Sequence, residues 1–230
     1  MLSYQTVNEH TLELLRQLSS VPEFSAMRLV GGTSLALQYG HRTSIDLDFF
    51  GTFDTDTSFV DILRRYGQLS IIKDSSKIKI YLLDGVKVDF VHYDYPWIGD
   101  SLQVDGLTLA TPPDIAAMKV NAIEGRGSKK DFIDLYYLLQ HYTLHEILDF
   151  YKQKYPEHSV FRALMSMSYF DDADVQPTPR LFGKMSWDER IYSQSSAEEL
   201  IIHNYFTCFQ FKLLFPFGLF CQGCCLRPAT

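Results

Sequence analysis

The chain is 230 residues long, 46% hydrophobic, 21% charged and 14% aromatic, which suits one good core, or one core with a small helical appendage, and excludes a disordered or fibrous protein. A formal net charge of −7 argues against a protein that coats nucleic acid broadly, but a local basic patch beside an acidic site keeps nucleic-acid substrates open. The N-terminal stretch has acidic residues and no apolar run of the signal-peptide kind, and Cys208, Cys221, Cys224 and Cys225 all lie near the end; a disulfide framework is excluded and the expected location is cytoplasmic.

Taken in chain order, residues 5–19 set Val7, Leu12, Leu14, Leu15 and Leu18 at the spacing of an amphipathic helix. Residues 27–30 read as a short strand stopped by Gly31-Gly32, after which Thr33 is placed to cap a helix that runs to Tyr39 and closes on Gly40. A second strand is expected at 44–50, then a helix at 58–66 and strands at 69–73, 77–83 and 86–92, the last two joined by the hairpin signal Asp84-Gly85. After a Pro/Gly/Asp-rich loop near 94–100, residues 102–104 and 107–109 form a small hairpin around Asp105-Gly106. From Pro112 the pattern turns helical, at 112–123, 130–140, 143–154 and 158–168.

Strands first and helices afterwards predict an α+β fold, a mixed sheet backed by a helical C-terminal half. The expected division is a core over 1–110, a helical part over 111–190 packed on it, and a tail over 191–230. Residues 205–221 of that tail are apolar but broken by Gln210, Lys212, Pro216 and Gly218, whereas a spanning helix needs roughly 20 mostly apolar residues. A packed terminal segment, a partner-binding patch or a non-native end to the reading frame are the readings left, with no membrane partner. Cys221-x₂-Cys224-Cys225 lacks a second ligand pair for zinc and reads as incidental thiols.

The chemistry is carried by residues 31–50. On a strand over 44–50, Asp46 and Asp48 share one face while Ile45, Leu47 and Phe49 turn to the core. Two carboxylates side by side repel each other unless a cation lies between them, and Mg²⁺, with Mn²⁺ as the second choice, is the hard ion that oxygen ligands favour. The bland alternative is a solvated strand face with two acids. Gly31-Gly32 ahead of a helix argues against it, because paired glycines let backbone N–H groups approach a phosphate and a helix N-terminus favours negative charge. Thr33 and Ser34 add hydroxyls at the same place. In-line nucleotidyl transfer asks for a third carboxylate as base or metal ligand, and Asp89, inside the apolar run Val88-Asp89-Phe90-Val91, is the candidate. His92 reads as structural.

These residues resemble the minimal nucleotidyltransferase superfamily and, more narrowly, the AbiEii toxin family of bacterial type IV toxin–antitoxin pairs. Gly31-Gly32-Thr33-Ser34 followed by Arg42-x-Ser44-x-Asp46-x-Asp48-Phe49 is similar to that family's first motif. Thr111 through Lys119 is similar to its lysine-bearing helix, and Arg126 through Lys130-Asp131-Phe132-Ile133-Asp134-Leu135 to the opening of the next. The resemblance spans roughly residues 25–140 and implies a polymerase-β-like core. It also implies metal ligation by Asp46 and Asp48, phosphate binding by Lys119, and completion of the site by Asp131 or Asp134. Without it, Asp131 and Asp134 beside Lys129 and Lys130 read equally as a surface ion-pair cluster. Arg42, next to Ser44, is expected to meet a phosphate or Asp46.

The activity expected is Mg²⁺-dependent transfer of a nucleoside monophosphate from an NTP to an acceptor hydroxyl, with catalysis by positioning and charge neutralisation. By resemblance, the acceptor is a tRNA end or a protein, and a cognate antitoxin is a partner. The rivals are a degenerate nucleotide- or partner-binding module of the same fold and a metal-dependent phosphohydrolase, which usually wants histidines that here are limited to His41 and His92.

Overall fold

Alternation of apolar and polar residues builds the sheet of this computed structural model, which describes residues 1–54, 56–182 and 187. Seven strands, β1 (Met27–Leu29), β2 (Leu47–Gly51), β3 (Leu69–Asp74), β4 (Ile78–Leu83), β5 (Val86–His92), β6 (Leu102–Val104) and β7 (Leu107–Leu109), lie in the order β3-β4-β5-β2-β1-β7-β6. The sheet is mixed: β2 runs parallel to β5 and β1 parallel to β7, while β1–β2, β3–β4, β4–β5 and β6–β7 are antiparallel. Asp84-Gly85 and Asp105-Gly106 turn the two hairpins with all four residues at positive φ (46° and 82°, 53° and 79°), the conformation Asp-Gly supplies at low cost.

One face of the sheet buries Leu29, Leu47, Phe49, Tyr81, Val88 and Phe90 with Leu14, Leu15 and Leu18 of α1 (Glu9–Ser19) and Phe59 and Ile62 of α3 (Phe59–Leu63). A second core joins Val30 and Leu35 to the helical half, α4 (Pro112–Gly125), α5 (Lys129–Leu138), α6 (Leu144–Lys154), α7 (Val160–Met167) and the short α8 (Asp171–Asp174). The fold is thus the expected α+β, a mixed sheet followed by helices. Residues Met1–Arg190 form one compact unit, and the expectations for the tail over 191–230 lie outside the described residues. Among the described residues no helix is long and apolar enough to cross a membrane.

Two local expectations are corrected. Strand β2 starts at Leu47 rather than at 44, and Ile45 is 62% exposed instead of facing the core. Residues 42–44 bond elsewhere, Arg42 bridging Leu181, Thr43 N–H donating to Arg180 and Ser44 N–H to Thr6, so this stretch cannot pair in the sheet. Thr33 does not cap a helix either. Helix α2 (Gly31–Tyr39) begins with both glycines inside its first turn and Val30 as N-cap, with no side-chain cap; Gly40, at φ +69°, closes it as expected.

Candidate functional site

Because β2 and β5 are parallel and in register, Asp48 lies opposite Asp89 and both project from the face away from Leu47, Phe49, Val88 and Phe90. Asp46, half-buried, stands one position ahead of β2, and its charge is among those acting on Asp48. Lys87, two residues before Asp89 on the same face, donates to both of its oxygens at 2.6 and 2.5 Å. Lys130 of α5 reaches Asp46 Oδ2 at 3.4 Å. Among the described residues no donor reaches Asp48. Burial, then Asp89 and Asp46, push its carboxyl up to about 6, against opposing pulls from Lys87 and Lys119.

The two glycines make this packing possible. A Cβ on Gly31 would collide with Asp48 Oδ2, and Gly31 also sits at φ +68°; a Cβ on Gly32 would collide with Arg42 Nη2. The expected role of the pair, close approach of backbone to phosphate, is thereby joined by a different one: the spaces vacated by two side chains are filled by a carboxylate and a guanidinium. The hydroxyls expected to meet phosphate turn inward. Thr33 donates to Asp46 O and meets Ser44 Oγ at 2.8 Å, and fully buried Ser34 accepts from Gln38 at 3.1 Å.

Behind the acid face lies a closed ion network. Lys119, 4% exposed, spans Asp131 Oδ1 at 2.9 Å and Asp134 Oδ2 at 2.6 Å, and both acids are completely buried. Asp134 also receives Arg42 through Nε (2.6 Å) and Nη2 (2.7 Å) and His41 Nε2 (2.8 Å). Asp131 receives Arg126 at 2.9 and 3.2 Å and Ser128 Oγ at 2.5 Å. Burial alone would raise both carboxyls, yet Lys119 with Arg126 for Asp131, and Arg42 with Lys119 for Asp134, hold them far below the usual range. Burial likewise opposes the charge on Lys119, and Asp131 and Asp134 outweigh it, so its ammonium is held more firmly than in water. The direct carboxylate partner of Arg42 is Asp134, which offers it a bidentate seat, and not Asp46. The sequence reading named Asp131 and Asp134 as alternatives; the fold gives both to the same lysine.

Three neighbours were missed. Lys87 and Lys130 hold acids of the site, and His41 is buried against Asp134 with Nδ1 lacking a partner among the described residues. Burial lowers the His41 pKa, with Asp134 pulling the other way, so the ring is neutral at pH 7. The strand period held the signal for Lys87, since residues two apart share a face; nothing in the spacing linked His41 to residue 134.

The donors suit a hard divalent ion, being all carboxylate oxygens, with Asp48 half-buried and its carboxyl still pushed up against the pull of Lys87 and Lys119. Among the described residues no three histidine, cysteine or acidic side chains converge on a metal position; Asp89 and Asp46 face lysines instead.

A mixed sheet that brings acids to one face of two neighbouring parallel strands, backed by helices, is the architecture of a nucleotidyltransferase. The chain belongs to the AbiEii nucleotidyltransferase toxin family. The model of that family, described as "Nucleotidyl transferase AbiEii toxin, Type IV TA system", matches residues 13–80. An uncharacterized protein of Aquifex aeolicus (strain VF5) is 35% identical over 178 residues, covering 72% of this chain and 86% of its own. Among solved structures, JHP933 from Helicobacter pylori matches with TM-score 0.54 at 21% identity, over 90% of this chain and 97% of that one. MenT4, a nucleotidyltransferase toxin from Mycobacterium tuberculosis H37Rv, matches with TM-score 0.55 at 14% identity, over 83% and 81%. At these identities the structural likenesses speak to the fold alone.

Proposed function

We propose that the protein moves a nucleoside monophosphate from an NTP to an acceptor hydroxyl, on a tRNA end or a protein, as the cytoplasmic toxin of a pair with a cognate antitoxin. The observation that carries this reading is the shared face of Asp48 and Asp89, with Asp46 beside them and no donor among the described residues reaching Asp48. Mg²⁺ or Mn²⁺ held by Asp46, Asp48 and Asp89 would neutralise phosphate charge there. The acceptor oxygen bonds to the α-phosphorus as the bond to the bridging oxygen breaks, pyrophosphate leaves, and Asp89 takes the hydroxyl proton. The N-terminus of α2 at Gly31-Gly32, free of a side-chain cap, faces the phosphates with its dipole. Lys119, tied to Asp131 and Asp134, acts as a fixed positive charge behind Asp48 rather than as a hand that follows the substrate.

A nucleotide-binding module without turnover is the second reading, favoured by the Lys87 ammonium that closes over Asp89. Incubation of the purified chain with Mg²⁺, each α-³²P-labelled NTP and either total tRNA or cell extract separates them. Label on an acceptor, lost in Asp48→Asn, supports transfer; binding without turnover supports the module; free nucleotide products without labelled acceptor point to hydrolysis.

A further inference from the structure

Lys87 and Lys130 have no assigned part in the reaction, yet each holds an acid beside Asp48. Lys87 Nζ lies 2.5 Å from Asp89 Oδ2 and Lys130 Nζ 3.4 Å from Asp46 Oδ2. Their side chains are 40% and 46% exposed, whereas that of Lys119 is 5% exposed. The two ammonium groups therefore stand at the water side of the acid face, and together they carry the charge of one divalent ion.

We propose that Lys87 and Lys130 are exchange groups for the donor: they hold Asp89 and Asp46 in the free protein and pass to the triphosphate when a metal–nucleotide complex enters. The inference rests on the nucleotidyltransferase reading of the same site. An ammonium and a metal ion compete for the same carboxylate lone pairs, so a metal arriving alone must displace both lysines and leave them without partners. A metal arriving with a triphosphate brings new ones, because the complex keeps net negative charge after one divalent ion is bound. Flexible four-carbon stems let each ammonium swing from carboxylate to phosphate without leaving the rim. The consequence is coupling: nucleotide raises metal affinity and metal raises nucleotide affinity by the same factor.

Calorimetric titration of the full chain with Mn²⁺ alone, and with a mixture of the four α,β-methylene NTPs at saturating Mn²⁺, tests this. Lys87→Ala and Lys130→Ala should each bind Mn²⁺ alone about twofold to fivefold more tightly, the range of a half-exposed ion pair, and bind the analogues about tenfold more weakly. Lys87→Arg, which keeps a cation, should bind the analogues more tightly than Lys87→Ala. Lys77→Ala, whose lysine pairs with exposed Asp94, should change neither titration. Alanine variants that bind Mn²⁺ no more tightly than wild type, or that keep full analogue affinity, overturn the exchange. A wild-type chain that binds neither Mn²⁺ nor analogue overturns the nucleotidyltransferase reading and this inference with it.

Discussion

Asp134 and Asp48 are both acids drawn away from water, and they meet opposite fates. Asp134 takes a bidentate arginine, a lysine and a histidine and stays ionised far below ordinary carboxylate pH. Asp48 takes no donor among the described residues and is pushed up to about 6 by burial and by Asp89. A buried charge with every lone pair engaged is scaffold; one left short of positive charge asks for a ligand that brings it. The two regions share residue types and neighbouring elements, so only their partners tell them apart.

The sharpest way to break this comparison is to remove each acid in turn. Asp134→Ala strips Arg42 of its carboxylate and leaves Lys119 with Asp131 alone, at 2% and 4% exposure, and should cost about 3–5 kcal/mol in urea unfolding, as loss of one partner of a buried pair does. Asp48→Asn removes repulsion instead of pairing; its unfolding free energy should stay level or rise by about 1 kcal/mol, while transfer falls at least about a hundredfold. An Asp134→Ala variant as stable as wild type would dissolve the distinction.

Next in size are the glycines, which join the two regions. In Gly32→Ala the new methyl meets the Arg42 guanidinium that Asp134 holds, and in Gly31→Ala it meets the Asp48 carboxylate at an unfavourable φ of +68°. Overpacking of this kind should cost about 1–3 kcal/mol, with Gly32→Ala behaving as a weak Asp134→Ala and Gly31→Ala lowering metal affinity as well. Thermal melting with and without Mn²⁺ separates the two.

The pH dependence should divide likewise. Asp131 and Asp134 have folded pKa values below their unfolded ones, so their stabilisation is complete above the unfolded value of about 4 and drains away as pH falls below it. Asp48 has the reverse sign: its folded value, about 6, lies above the unfolded one, so ionisation costs stability at pH 7 and that cost is relieved as pH falls from 6 toward 4. Urea unfolding at pH 7, 5 and 3 should show a rise of about 1 kcal/mol and then a steep fall. The first rise should vanish in Asp48→Asn.

Much of this was legible in the sequence, and the limits have physical causes. Alternation and Asp-Gly pairs gave the strands β3, β4 and β5 and both hairpins, because these signals are local. Period two on a strand expected over 44–50 singles out Asp46 and Asp48, and the apolar run around it singles out Asp89, but the pairing of Asp48 with Asp89 across β2 and β5 is not fixed by either signal. The start of β2 was misjudged since the partners of residues 42–44, Thr6, Arg180 and Leu181, lie far along the chain. Arg42 and Asp134 stand 92 positions apart, and no periodicity connects them. The glycines were read for their freedom, but what fills the space beside them depends on the tertiary fold.

The smallest effect is expected at Thr33, whose hydroxyl ties α2 to Asp46 O and Ser44 Oγ at the approach to β2. Thr33→Val keeps the shape and removes the hydroxyl, leaving the Asp46 carbonyl and Ser44 short of a partner, for a loss of about 1 kcal/mol in urea unfolding. Its bearing on the comparison lies in what else moves. If Thr33 holds the backbone that aims Asp46, the Mn²⁺ concentration for half-maximal transfer should rise severalfold while the Asp131–Lys119–Asp134 network, monitored by the acid limb below pH 4, stays as in wild type. Ser34→Ala, which loses only a bond to Gln38 on the same helix, should shift stability by a similar amount and leave the Mn²⁺ requirement unchanged. Equal metal requirements in the two variants would mean that Asp46 is placed by the start of β2 that follows it and not by the hydroxyl beneath it.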